Sequence, residues 1–304
     1  MKKKFSAGLV AGFFMIGVTV VASATVVPDG TTVLNGDGTL TNPAVWTLGS
    51  DFVSTETFKI GDAGKSYNQL TVDGTYSFTA ESDLYVGLAP VFTTPGSYNN
   101  LLTIESGGNV AVGGNLLLSD GSTWGGGRGN RVDVTGMGSV LSIAGDLDMY
   151  NYIHAYDNTL NVSDGGVAVV DGDFSIYHSE AYDGYSWLEF DGGALFLSGD
   201  LTSSFAEGSD MLTSIKVWDE VTETFQRISE YDNGNVVSTA YLDWFEVSYI
   251  EDVNQASSMG LTDDFVGYTV LRDVNPVPEP GTVFLLGAGL AGLVGLRVRK
   301  KRMA

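Results

Sequence analysis

Apolar and polar positions alternate with a period of two in short runs through the middle of the chain, and the runs return in a fixed order. The motif Asn-x-(Leu/Val)-x-(Val/Ile) stands at Asn68 to Val72, Asn100 to Ile104, Asn130 to Val134 and Asn158 to Val162, with Ser186 to Phe190 as a fifth copy. The heads at 68, 100, 130, 158 and 186 are separated by 32, 30, 28 and 28 residues. Each copy continues through a glycine turn into a second alternating run and then a third, introduced by Gly-Asp or Gly-Asn except in the first copy, which has Ser82-Asp83; in the fourth copy these are Val167 to Val169 and Phe174 to Ile176. The third runs elsewhere are Leu84 to Val86, Leu116 to Leu118, Leu147 to Met149 and Asp200-Leu201.

Three short runs in a repeat of about 28 residues predict an all-β fold: a parallel β-helix, or solenoid, with three short strands per coil and every coil stacked in register on the last. The alternation puts Leu160, Val162, Val167, Val169, Phe174 and Ile176 inside the fourth coil. The head asparagines form a ladder of amides, and Gly107-Gly108, Gly165-Gly166 and Gly192-Gly193 supply positive φ at the corners. Turn chemistry in an antiparallel sandwich or barrel is the competing architecture. Hairpins, however, do not demand one residue type at one corner every 28 to 32 positions. Ala89 to Tyr98 and Gly121 to Gly129 read as loops bulging from the longer coils.

The flanking segments read differently. Residues 1–24 have a basic start, an apolar run from Phe5 to Val21 and then Ala22-Ser23-Ala24, with small residues where a signal peptidase reads. They are expected to be a secretory signal peptide cut after Ala24, an uncleaved membrane helix being the alternative. Residues 25–60 form an N-terminal cap or first irregular coil, 61–201 the β-helix repeats, and 202–275 a more aromatic, β-rich C-terminal cap that covers the open end of the solenoid. Residues 276–304 carry Pro278-Glu279-Pro280, fifteen uncharged residues from Thr282 to Leu296, and the basic cluster Arg297, Arg299, Lys300, Lys301 and Arg302. That is a short transmembrane helix with a cytoplasmic end, holding an exported body at the membrane.

The tail resembles the PEP-CTERM sorting domain of exported proteins in bacteria that make exopolysaccharide. The resemblance implies recognition of Pro278, Glu279 and Pro280 by an exosortase, loss of the tail, and release or attachment of the body at the cell surface or in the extracellular matrix of a Gram-negative-type bacterium. It covers only the last 28 or so residues and is an address. The repeats are similar, more weakly, to those of autotransporter-like passengers.

Charge narrows the partners. The net charge is −22, and residues 25–278 hold seven Lys and Arg against 36 carboxylates, a field that repels phosphate backbones and argues against nucleic acid. The chain has no Cys, so it has no disulfide framework and no thiolate metal or redox site. His154 and His178 make no strong metal or triad case, and no G-x-S-x-G elbow is present. Asp146, Asp173 and Asp200 recur at one corner, where stacked coils would bring them roughly 5 Å apart. They are turn residues, weak Ca²⁺ candidates, or, least favoured, the carboxylates of a β-helix polysaccharide hydrolase or lyase. Their even distribution argues against a single catalytic constellation. Tyr98, Trp124, Tyr150, Tyr152, Tyr177, Tyr182 and Tyr185 lie near loops where they could stack on glycans or pack in the core and cap. The sequence thus points to a non-enzymatic, exported surface or matrix protein associated with exopolysaccharide or biofilm, without catalytic residues or cofactor. A polysaccharide-cleaving enzyme and a Ca²⁺-dependent surface-layer protein are the alternatives. Signal peptidase and exosortase are its processing partners, and extracellular polysaccharide its expected ligand.

Overall fold

The computed structural model describes residues 24–274 apart from 37, 63, 89–96, 120–126, 150–156, 177, 180–183 and 233. The signal-peptide residues through Ser23, the sorting tail and most of both expected loops therefore lie outside the described residues. The body is a parallel β-solenoid, as its periodicity predicts. Its first sheet runs through Ala44–Thr47, Asn68–Val72, Leu101–Ile104, Arg131–Thr135, Thr159–Ser163 and Trp187–Asp191. The second runs through Phe52–Ser54, Ser77–Ala80, Asn109–Val112, Val140–Ile143, Val167–Val170 and Ala194–Ser198. The third runs through Phe58–Asp62, Leu84–Leu88, Leu116–Leu118, Leu147–Met149 and Phe174–Ile176. These make five complete coils and a sixth without its third strand.

Register is what turns the repeat into a core. Leu70, Leu102, Val132, Leu160, Leu188 and Ile215 stand opposite one another strand after strand, and so do Val72, Ile104, Val134, Val162, Phe190 and Val217. All of them are at most 1% exposed. Each buried aliphatic contributes about 1.5–3 kcal/mol of transfer free energy, so a one-residue slip in any coil would turn a full set outward. At the N-terminal end Phe52, Phe58 and Phe78 pack with ring centroids 4.9–5.7 Å apart, filling the interior with aromatic volume.

The head asparagines form the expected ladder. Asn68, Asn100, Asn130 and Asn158 are wholly buried. The Oδ1 of Asn100 accepts from the backbone N–H (3.1 Å) and Nδ2 (2.8 Å) of Asn68. Asn130 does the same for Asn100 (both 3.0 Å), and Asn158 for Asn130 (3.1 and 3.3 Å). Every carboxamide carbonyl therefore faces the preceding coil. At the far end Ser186 replaces the fifth Asn and turns its hydroxyl to the Met149 carbonyl, while the Asn158 Nδ2 is left without a partner among the described residues. At the next corner Gly165 adopts φ +82°, and a Cβ on Gly166 would lie 2.3 Å from the Val134 carbonyl oxygen, so the Gly-Gly pair serves conformation and close stacking together.

Several expectations need correction. Residues 44–62 make a full coil in register with the repeats, although Ala44 stands where later copies have Asn; among the described residues the strands before it are Thr25–Val26 and Val33–Leu34. In the coil headed by Asn158, Ala168 and Val170, rather than Val167 and Val169, face the main core. The run Val-Ala-Val-Val is apolar on both faces, so alternation cannot set its phase. The outer pair is instead covered by a satellite core of Phe196, Ile250, Ala256 and Val270 beneath the helix Val253–Ser258. Asp200-Leu201 does not form a third strand but leads into the 3₁₀ turn Thr202–Phe205, whose Phe205 ring stacks on Phe174 at 6.3 Å.

In the cap, Ile215–Asp219 extends the first sheet in parallel, and Thr224–Arg227 then pairs with it antiparallel. Tyr268–Asp273 closes the second sheet antiparallel on Ala194–Ser198, with Phe245–Tyr249 beyond it. The reversal of strand direction ends both stacks.

Truncating a central rung should cost more than truncating the last one. Asn100→Ala removes the acceptor for two buried donors and is expected to lower unfolding free energy by about 2–4 kcal/mol. Asn158→Ala also deletes the orphaned Nδ2 and should cost roughly half as much. Urea melts of the two variants check the order.

Candidate functional site

The position before each head asparagine is the second repeating device of the coil. Tyr67, Asn99, Gly129 and Asp157 all adopt left-handed backbone, with φ of 58°, 54°, 68° and 58°. Asn, Gly and Asp suit that conformation and Tyr does not. The stack holds because the Tyr67 N–H donates to the Tyr98 carbonyl (3.0 Å) and the Asn99 N–H to the Arg128 carbonyl (3.1 Å). The residues of this row line the corner, and with Tyr98 and Arg128 they border an open cleft of about 390 Å³. The Arg128 guanidinium lies 5.2 Å over the Tyr98 ring. Asn99, Arg128 and Asp157 are exposed and the two tyrosines half-buried.

Beside the cleft, the outward side of the first sheet carries a charged network. Glu189, almost buried, accepts from Arg131 Nη1 (2.9 Å) and Lys216 Nζ (3.0 Å), and Arg131 Nε reaches Asp133 at 2.5 Å. Burial raises the Asp133 carboxyl above its ordinary value, and the Arg131 charge pulls the other way. Lys216 Nζ sits 3.9 Å over Trp187, and the Arg227 guanidinium 4.6 Å over Trp187 and 4.7 Å over Tyr185, whose rings stack at 5.1 Å. Arg128, Arg131, Lys216 and Arg227 are four of the seven Lys and Arg of residues 25–278. An otherwise acidic body thus gathers its positive charge, with aromatic faces, on one side.

The recurrent aspartates stand at the third corner. Asp83 Oδ1 accepts from the Asn115 N–H, Asn115 Oδ1 from the Asp146 N–H, and Asp146 Oδ1 from the Asp173 N–H, each at 2.8 Å. Asp146 and Asp173 therefore stack as expected, but the Asp146 carboxylate is occupied by a backbone amide of the next coil. Asp200 leaves the row; the Thr202 hydroxyl (2.6 Å) and amide (3.1 Å) cap it and hold its carboxyl below the usual range. Among the described residues no group of three or more His, Asp or Glu side chains is placed to hold a metal ion. His178 pairs through its backbone with Tyr185 in a short hairpin. His154, Trp124, Tyr150, Tyr152, Tyr177 and Tyr182 lie outside the described residues. Of the candidate aromatics, Tyr98 and Tyr185 are the two placed, and both stand on the cation-rich side.

The cleft row and the charged network escaped sequence reading, although both leave a signal. The residue before each head is Tyr, Asn, Gly or Asp, and outward positions of neighbouring first strands carry opposite charges. A third cluster lies at the opposite end of the same strands. Asp191 is pushed up to about 6 by partial burial and by Asp164, Asp273 and Glu220. Asp273, itself raised by burial, accepts from the Gly192 N–H at 2.8 and 3.0 Å.

Fold and tail together define an exported solenoid. Residues 276–300 match the PEP-CTERM protein-sorting motif. The chain is accordingly an exported protein, held transiently at the membrane and processed by an exosortase, with Pro278, Glu279 and Pro280 inside the match. No curated protein and no solved structure matches the chain. Among the described residues no helix is long and apolar enough to cross a membrane, and the apolar segment of the tail lies outside them.

Two outcomes follow from the charged groups. Glu189→Ala leaves Lys216 without its ion-pair carboxylate and Arg131 with Asp133 alone, and should cost about 1–3 kcal/mol in a denaturant melt, the lower end reflecting solvent screening. The folded-state value of Asp191 lies above its ordinary 3.8, so the protonated form favours folding, and this contribution is lost as pH rises through about 6. Asp191→Asn should raise the melting temperature at pH 7.5, with the gain shrinking below pH 6 and vanishing near pH 4. A pH series of paired thermal melts measures it.

Proposed function

We propose that the processed body is a non-enzymatic component of the cell surface or extracellular matrix of a Gram-negative-type bacterium, associated with exopolysaccharide. Export begins with cleavage after Ala24, read through Ala22 and Ala24, and ends with removal of the tail. The observation that carries the reading is the sorting motif at residues 276–300 on a repetitive, strongly acidic solenoid. Two further features support it. The recurrent Asp and Asn side chains serve as backbone caps between coils, so Asp146 is engaged in the stack. Tyrosine, tryptophan and arginine faces gather on one side, where sugar rings can stack.

In the native host the mature protein is expected to have lost both terminal segments by intact mass, whereas Glu279→Ala keeps the tail and stays with the membrane fraction. The purified mature protein should retain host exopolysaccharide without shortening it over long incubation. Shortened chains, abolished by alanine at Asp146, Asp173 and Asp200, would establish the hydrolase or lyase instead. A thermal melt lowered by EDTA would establish the Ca²⁺-dependent layer protein.

A further inference from the structure

The corner cleft has the attributes of a saccharide site. Its volume of about 390 Å³ is that of a pocket for one or two sugar rings. Two half-buried tyrosines line it, and the Arg128 guanidinium lies 5.2 Å over one face of the Tyr98 ring. A sugar presents hydroxyls that both donate and accept, and the lining matches both needs. Asn99 and the tyrosine hydroxyls do either, Arg128 donates, and Asp157 accepts. Gly129 keeps the middle open: a Cβ there would come within 2.5 Å of the Asn99 Oδ1, filling the gap between Asn99 and Asp157. The row runs along the solenoid axis, one residue per coil at about 4.8 Å, so a linear polymer lying on it meets equivalent positions in succession.

Charge selects the kind of polymer. Asp157 and Arg128 both line the cleft, so the site itself carries no net charge, and the body as a whole carries 36 carboxylates against seven Lys and Arg, a long-range field that disfavours a uronate or phosphate polymer. We propose that the cleft formed by Tyr67, Tyr98, Asn99, Arg128 and Asp157 binds a unit of a neutral polysaccharide, with a tyrosine face under the ring and Asp157 and Arg128 on its hydroxyls. This inference rests on the matrix reading above and assigns it an address on the molecule.

The test uses the processed protein from an exosortase-bearing host. Isothermal titration with cellohexaose, maltohexaose and hexagalacturonate is paired with retention of host exopolysaccharide by wild type, Tyr98→Ala, Asp157→Asn and, as a distant control, Val221→Ala. A neutral hexasaccharide should bind wild type and the control alike and lose at least tenfold in affinity with Tyr98→Ala and Asp157→Asn, with retention falling in step. Asp157→Asn keeps the volume and the tolerance for left-handed backbone, so its loss reads as lost recognition even if Tyr98→Ala folds poorly. Retention by wild type that neither cleft variant weakens overturns the cleft and leaves the matrix association standing. Absence of retention by wild type overturns both. Preference for hexagalacturonate overturns the neutral chemistry.

Discussion

A buried carboxamide brings two donors and a carbonyl that must all be satisfied away from water, and this molecule meets the demand by stacking identical groups. Each carbonyl of Asn100, Asn130 and Asn158 takes both the backbone N–H and the side-chain N–H of the asparagine one coil earlier. That arrangement tolerates only one register, because a shifted coil would bury polar groups without partners at a cost of about 1–3 kcal/mol apiece. The aliphatic rows and the stacked left-handed corner beside the ladder are both downstream of it. The corner residues Tyr67, Asn99, Gly129 and Asp157 adjoin the ladder in sequence, so a stack that fixes the asparagines also fixes the walls of the cleft.

The charged side of the first sheet belongs to the same logic. Strand stacking sets Asp133, Asn161 and Glu189 opposite one another, and a row of like charges at that spacing would be unfavourable. The chain interrupts the row with Asn161 and brings in Arg131 from the next position and Lys216 from the cap. The cap thereby contributes charge to a surface that the repeats build, and Arg227 adds its guanidinium over Tyr185 and Trp187. Concentrating four of the seven cations here leaves the rest of the body the more strongly acidic.

The solenoid was legible in the sequence where one feature repeated and the two faces of a strand differed. Heads at Asn68, Asn100, Asn130 and Asn158 announced the first sheet, and alternation named its buried residues correctly. Legibility failed for physical reasons in three places. The first coil begins with Ala44, which has no amide to mark it. Val167–Val170 is apolar on both faces because a second core covers the outside, and most of that cover comes from the distant residues Ile250, Ala256 and Val270. The path from Asp200 to Phe205 depends on Phe205 reaching Phe174, a contact no local pattern encodes. The sorting motif, being read by sequence, was legible in full, whereas the cleft was not, since its walls are contributed by four coils and meet only once those coils are stacked.

The ladder also makes the molecule extensible. Every carboxamide presents the same face to the coil before it, so a duplicated segment of 28 to 32 residues would arrive with its hydrogen bonds and aliphatic rungs already matched on both sides. Each such insertion would lengthen the body by about 4.8 Å and add one more side chain to the corner row. The reversed strands of the cap and the sorting tail would be unaffected. The length of the body and the number of positions in the corner row would then change together, in whole steps, through duplication of a single stretch of gene.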